Sequence, residues 1–185
     1  MPPGAFSFRD FVSPETASRL LAEVDANPWR DDLKRRVQHY GWRYDYRARQ
    51  VTQDLRLGPL PGWLAPLAEA VGVEGGFGAI PDQVIVNEYL PGQGISAHID
   101  CVPCFGPVIA SLSLGGMVEM EFRHAATGVR RSHVLPEGSL LVLSGPARYE
   151  WTHAIPARRS DVIEGVRTAR TRRVSLTFRS VTQTP

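Results

Sequence analysis

Cysteine is nearly missing from this chain, which has two, Cys101 and Cys104, among 185 residues. Two cysteines imply no disulfide framework, and both read as thiols in one loop. Long apolar runs are missing too. None approaches the roughly 20 residues that cross a bilayer, so no membrane span is expected. The start, Met1-Pro2-Pro3-Gly4-Ala5, lacks a basic stretch followed by an apolar one, so no secretory signal is expected and a cytoplasmic location follows. Charge of one sign does not dominate either. The net charge is +2, which by itself does not announce a nucleic-acid binder. Internal repeats, low-complexity segments and a dividing linker are also lacking. What remains suits one buried core: 43% of the residues are hydrophobic and the length fits one domain, residues 1–185. A monomer is expected.

The cations that are present are nearly all arginine. They cluster at Lys34-Arg35-Arg36, Arg43 to Arg49, Arg130-Arg131, Arg158-Arg159 and Arg167 to Arg173. A solvated surface explains any one cluster. Several on one face would make a groove that tracks phosphates.

Ser13-Pro14-Glu15 reads as a helix start, with a serine cap, proline in the first turn and an acid at the positive end. Leu20, Leu21 and Val24 give the apolar face, and Asn27-Pro28 ends it. A second helix is expected from Trp63 to Val71, stopping near Gly72. Tyr40 to Tyr46 alternates aromatic and polar residues, as a strand or hairpin does. From Gln83 the chain reads as short strands. They are Val84 to Val86, Val108 to Leu114, Val118 to Phe122, Ser139 to Leu143 and Val174 to Phe178. Turn signals separate them at Gly115-Gly116, Pro136-Glu137-Gly138 and Ser144-Gly145-Pro146. Helices followed by many strands predict an α+β fold, a double-stranded β-helix (jelly-roll) core with N-terminal helices packed on one sheet. Residues 1–82 would supply helices and a substrate lid, and residues 83–180 the catalytic core.

The run from Asn87 to Asp100 ends in His98-Ile99-Asp100. Side chains at i and i+2 of a strand share a face, so His98 and Asp100 can reach one ion. His153 would join them from a distant strand. Two imidazoles and a carboxylate suit Fe(II) or Mn(II), and they form the facial triad that leaves open positions for a co-substrate and O2. Arg173 and Arg179 bracket a β segment and are suited to carboxylates. A His-x-Asp alone is weak, since the spacing recurs by chance.

The ordered set is stronger. Asn87-Glu88-Tyr89, His98-Ile99-Asp100, Trp151-Thr152-His153 and Arg173-Val174-Ser175-Leu176-Thr177-Phe178-Arg179 resemble the AlkB family of Fe(II)- and 2-oxoglutarate-dependent dioxygenases over residues 83–180. The resemblance implies that His98, Asp100 and His153 hold Fe(II), and that 2-oxoglutarate and O2 are co-substrates. It implies that Asn87, Tyr89, Arg173, Ser175 and Arg179 bind 2-oxoglutarate, with Arg173 and Tyr89 at the distal carboxylate. Arg179 and Asn87 would attend the end that chelates iron. Ser175 stands where several members carry asparagine.

The substrate is less defined. Trp42, Tyr44 and Tyr46, interleaved with Arg43, Arg47 and Arg49, suit a base with flanking phosphates, or else one packed face of a hairpin. The leading expectation is oxidative dealkylation of alkylated nucleobases in DNA or RNA. Val102 stands where DNA-repairing members often carry an acid, which counts against methylated adenine or cytosine. The segments Val86 to Ile95 and Arg148 to His153 look like the AlkB domain that hydroxylates modified wobble uridines in tRNA. That is the alternative, beside a protein-hydroxylating enzyme and a non-catalytic binding module. Cys101-Val102-Pro103-Cys104 reads as a plain loop rather than a redox or zinc motif. His39, His124 and His133 read as surface residues.

Overall fold

In a computed structural model that describes residues 1–31 and 33–182, two antiparallel sheets form the frame. Its strands are β1 (Ala5–Phe8), β2 (Val37–Tyr40), β3 (Gln83–Tyr89), β4 (Ile95–His98), β5 (Phe105–Gly115) and β6 (Val118–His124). Then follow β7 (Arg130–Leu135), β8 (Leu140–Leu143), β9 (Trp151–Ile155), β10 (Ser160–Ile163), β11 (Val166–Ala169) and β12 (Arg173–Val181). The larger sheet has the order β1-β8-β5-β12-β3-β2, the smaller β4-β9-β6-β7, and β10-β11 is a separate hairpin. This is the double-stranded β-helix expected from the strand pattern.

The helices α1 (Pro14–Ala26) and α2 (Ala65–Glu74) cover the outer face of the larger sheet. Ser13 caps α1: its Oγ accepts from the Thr16 amide at 3.3 Å. Ala17, Leu20 and Val24 recur at helical spacing and are buried against Val86, Leu112 and Leu176. Leu20 and Val24 each contribute about 1.5–3 kcal/mol on burial. Leu64, Ala68 and Val71 add the face of α2. The other face of the larger sheet looks toward the smaller one, where Phe122, Met120 and Trp151 pack with Leu141 and Leu143.

Three local expectations shift. The second helix begins at Ala65, with Pro66 in its first turn, and passes through Gly72 to Glu74, capped by Gly75. Gly76, at φ +68°, takes the left-handed turn that stops it. The aromatic run is not one strand. β2 ends at Tyr40 because Gly41 has φ +75° and lies where a Cβ would collide with the Asp82 carbonyl. Beyond it only the bridges Trp42↔Arg56 and Asp45↔Gln50 hold a loop, whose tip is fixed by Asp45 Oδ1 accepting from the amides of Arg47 (2.8 Å) and Ala48 (2.9 Å). Finally, β7, β10 and β11 carry too many polar residues to stand out as apolar runs, and β1 is only four residues long. The arginines at 158–172 mostly serve structure. Asp161 binds Arg158 and Arg170, and Glu88 binds Arg36 and Arg172.

Candidate active site

The three predicted metal ligands converge. His98 closes β4 and lies directly opposite His153 on β9, with ring centroids 4.3 Å apart. Asp100 follows two residues later, and the ligand atoms of all three lie within 4.8 Å of one another. His98 Nδ1 lies 2.8 Å from the Ser96 carbonyl, so that nitrogen carries the hydrogen and Nε2 is left for a metal. Asp100 Oδ1 accepts from Arg179 Nη2 (2.5 Å) and Nε (3.0 Å), while Oδ2 faces His153 Nε2 at 3.6 Å. One carboxylate oxygen is thereby fixed by the protein and the other is presented to the triad.

The protonation states agree with ligation. Burial pushes the Asp100 carboxyl up, but the charges of Arg179, His153 and His98 outweigh it and hold the group well below the ordinary carboxylate range. Burial, then His98, pulls His153 down to about 4, so its imidazole is neutral. A neutral His153 and an ionised Asp100 suit the donor set that Fe(II) takes.

Behind the triad lies a cavity of about 760 Å³. Its floor is one face of the larger sheet, set by register: Arg173 pairs with Tyr89, Ser175 with Asn87, and Ser175 also with Ser113. Arg173 is 2% exposed. Its Nη2 donates to Ser113 Oγ at 2.8 Å, yet Nε and Nη1 have no partner among the described residues. Burial pulls this guanidinium down to about 10. A buried cation with two bare donors fits a carboxylate, and Tyr89 lies against it at 5.5 Å. Asn87 Oδ1 is taken by Arg35 Nε (2.9 Å), so Arg35 joins this wall unforeseen by the motifs.

The lid aromatics separate. Tyr44 and Tyr46 line the cavity, edge to face at 5.1 Å. Trp42 does not line it: the ring is 6% exposed and its Nε1 donates to Asp82 Oδ2 at 3.0 Å, which corrects the expectation of three base-facing aromatics. The histidines outside the triad are half-buried rather than plainly on the surface, with His39 against Tyr46 and His124 against Trp151.

Two further features were not legible. Cys101 and Cys104 are joined as a disulfide, because the tight turn after Asp100 brings their Cα atoms to 5.3 Å. Arg148, on a short helix α3 (Gly145–Tyr149), is 2% exposed. Its guanidinium donates to the carbonyls of Asp100 (3.0 Å), Gly106 (3.2 Å), Cys101 (3.3 Å) and Phe105 (3.3 Å), pinning the loop that carries the carboxylate ligand. In sequence it is one arginine among many.

Known proteins show the same frame. The profile of the 2OG-Fe(II) oxygenase superfamily matches residues 4–179. The chain is 38% identical over 206 residues to an Arabidopsis thaliana protein named alkylated DNA repair protein ALKBH8 homolog, covering 99% of this chain and 60% of that one. It is 37% identical over 215 residues to the Macaca fascicularis tRNA (carboxymethyluridine(34)-5-O)-methyltransferase ALKBH8, covering all of this chain and 31% of that one. The chain thus spans less than two thirds of either relative. The solved structure of OsALKBH1 superposes with a TM-score of 0.72 at 17% identity, over 97% of this chain and 98% of that one. With the triad and the basic cavity in place, the chain belongs to the 2OG-Fe(II) oxygenase superfamily, in its AlkB family, whose reaction uses Fe(II), 2-oxoglutarate and O2.

Proposed function

We propose that this protein hydroxylates a neutral or acid-substituted pyrimidine base, of the modified-uridine type, held in single-stranded RNA such as a tRNA loop. The observation that carries this is the charge of the cavity wall. Asp100 is its only carboxylate among the described residues, and Arg179 and the metal site occupy it. Lys34, Arg35 and Arg49 stand at the cavity, beside Tyr44 and Tyr46. A cationic methylated base such as 1-methyladenine would meet like charge there, whereas a base bearing a carboxyl or ester group would meet donors. Val102, 50% exposed, offers no acid where a base amine would need one. Relatives named for carboxymethyluridine in tRNA match the chain over its full length, which supports the same direction.

In this reading His98, Asp100 and His153 would hold Fe(II), which would supply hydroxylating chemistry with 2-oxoglutarate and O2 as co-substrates. Arg173, with Tyr89 and Ser113, binds the distal carboxylate of 2-oxoglutarate, and Ser175 and Asn87 line its path. Arg179 holds the carboxylate ligand in place rather than reaching a ligand alone. Arg148 keeps the loop after Asp100 rigid. Tyr44 and Tyr46 form the lid wall against which a base stacks.

Oxidative dealkylation of N-methylated bases is the second reading, favoured by the Arabidopsis thaliana relative's name. Mass spectrometry separates the two after incubation with Fe(II), 2-oxoglutarate and O2. The panel holds bulk tRNA, methylated RNA, and methylated single- and double-stranded DNA. Gain of one oxygen atom on a tRNA nucleoside is the expected result. Methyl loss with formaldehyde release would move the assignment to dealkylation. Succinate formed with every nucleic acid unchanged would overturn both.

A further inference from the structure

The smaller sheet has a second concavity, about 500 Å³, on its outward face. Along β6, Val118, Met120 and Phe122 point inward, leaving Glu119, Glu121 and Arg123 outside. Register builds one row across three strands: Thr152 on β9, Arg123 on β6, Arg130 on β7. Adjacent strands are about 4.8 Å apart, so the row runs about 10 Å. A neighbouring row is small and polar, with Ala154 and Ser132 flanking Glu121.

Three observations single out this face. First, Arg123 and Arg130 are directly opposed cross-strand partners, an arrangement in which like charges repel. Second, neither has a carboxylate partner among the described residues, and both are exposed. The buried carboxylates go to other guanidiniums: Arg36 and Arg172 share Glu88, and Arg158 and Arg170 share Asp161. The nearby acids Glu119 and Glu121 are themselves taken up by Arg158, at 2.6 and 3.5 Å. Third, the concavity adjoins the iron cavity. Ala97 and Thr152 line both, and they are the chain neighbours of His98 and His153.

We infer that the outer face of the β4-β9-β6-β7 sheet is the phosphate track for the strand that carries the target base, with Arg123 and Arg130 binding backbone phosphates next to the nucleotide held in the cavity. This rests on the base-modifying reading and extends it from the base to its flanking strand. An anion between two repelling guanidiniums turns their repulsion into attraction, and the arginine fork matches phosphate geometry. The small side chains of Ala97, Ala154 and Ser132 let a sugar-phosphate chain lie close to the sheet.

The test is fluorescence anisotropy of a single-stranded RNA oligomer on the metal- and 2-oxoglutarate-loaded protein, titrated at several salt concentrations. Each phosphate contact in a single strand contributes about 0.7 to the slope of log K against log salt. The Arg123→Ala/Arg130→Ala double variant is expected to lose about 1.4 of that slope and to bind at least 10-fold more weakly at low salt. The Arg123→Lys/Arg130→Lys variant keeps the charge and is expected to keep most of the slope, which separates phosphate binding from misfolding. An unchanged slope in the alanine variant, with RNA still bound, overturns the track and leaves the base-modifying reading standing. Wild-type protein that binds neither RNA nor DNA overturns both, and slope loss shared equally by the lysine variant overturns the track as a charge effect.

Discussion

Replacing Arg173 with methionine is expected to stabilise the ligand-free protein while abolishing its response to 2-oxoglutarate. Nε and Nη1 of Arg173 are buried without partners. An unsatisfied buried donor costs about 1–3 kcal/mol, so the pair costs about 2–6 kcal/mol. Methionine removes both donors and keeps most of the volume. The change forfeits the hydrogen bond to Ser113 and the contact with Tyr89, together about 1–2 kcal/mol. The net expectation is a gain of about 2 kcal/mol, which for a chain of this size is about 4–8 °C in melting temperature. Differential scanning calorimetry, run with Mn(II) in place of iron to prevent turnover, reads it. Wild-type protein should also gain about 2.7 kcal/mol from 2-oxoglutarate at about 100 times its Kd, and the variant should gain nothing. A variant that melts below the wild type refutes the uncompensated charge. One that keeps the ligand shift refutes Arg173 as the carboxylate anchor.

Both His98→Ala and Asp100→Ala should abolish metal binding and turnover, but only the second should destabilise strongly. Losing the carboxylate strands the buried Arg179, at a cost of about 3–5 kcal/mol, so His98→Ala is the cleaner test, read by metal content and melting; normal activity in either variant would sink the triad. Arg148→Lys cannot span four carbonyls with one ammonium, and metal affinity should fall about 10- to 100-fold; a metal titration matching wild type would contradict the positioning role. Acid should unfold the protein through two clusters. At Asp161 burial pushes the carboxyl up, but hydrogen bonds from Arg170 and Arg158 outweigh it and hold it below its ordinary 3.8. At Glu88 the Arg36 hydrogen bond leads in holding it below 4.5. Depressed carboxylates contribute stability that is complete above those ordinary values and is lost as pH falls through the lower folded ones. Buried His153, held down to about 4 against its ordinary 6.5, already costs stability as pH falls below 6.5, so melting temperatures should begin to fall there and drop further below pH 3.8; the later drop should shrink in Arg158→Ala, and a flat profile into that range would contradict the assignment.

The parts of this structure legible in sequence are those where one residue type serves one geometric need. Ser13-Pro14 can hardly be anything but a helix start. β3 and β8 hold continuous apolar runs, Val84 to Val86 and Leu140 to Leu143, while β5 and β12 alternate apolar with small polar residues, so all four stand out as strands. His98, Asp100 and His153 were legible because metal chemistry restricts both residue type and spacing. What sequence hid depends on tertiary neighbours. Strands β7, β10 and β11 mix polar with apolar residues over a few positions, which dilutes their apolar signal. Trp42 looked like Tyr44 and Tyr46 because alternation continues past Gly41. The left-handed glycine turns the chain, and the indole lands on Asp82 instead of in the cavity. Arg148 is the plainest case. No local pattern distinguishes an arginine that binds four carbonyls from one that sits in water.

The arginines also explain why a net charge of +2 said so little about partners. Net charge adds cations that have already been neutralised to those that have not. Glu88, Asp25, Asp161 and Glu119 lie in the clusters that fasten α1, β3 and the β10-β11 hairpin to the sheets, and each cancels an arginine locally. None of them lines the cavity, and Glu119, which does stand on the outer face of the smaller sheet, is held there by Arg158. Positive potential therefore survives where Lys34, Arg35 and Arg49 ring the cavity, and where Arg123 and Arg130 face each other a short distance from the iron ligands. A polyanion responds to this local field within about a Debye length, ~8 Å in physiological salt, and not to the sum over the whole molecule. A near-neutral chain can thus present cationic surface beside its metal ligands, provided most of its carboxylates are committed by the fold.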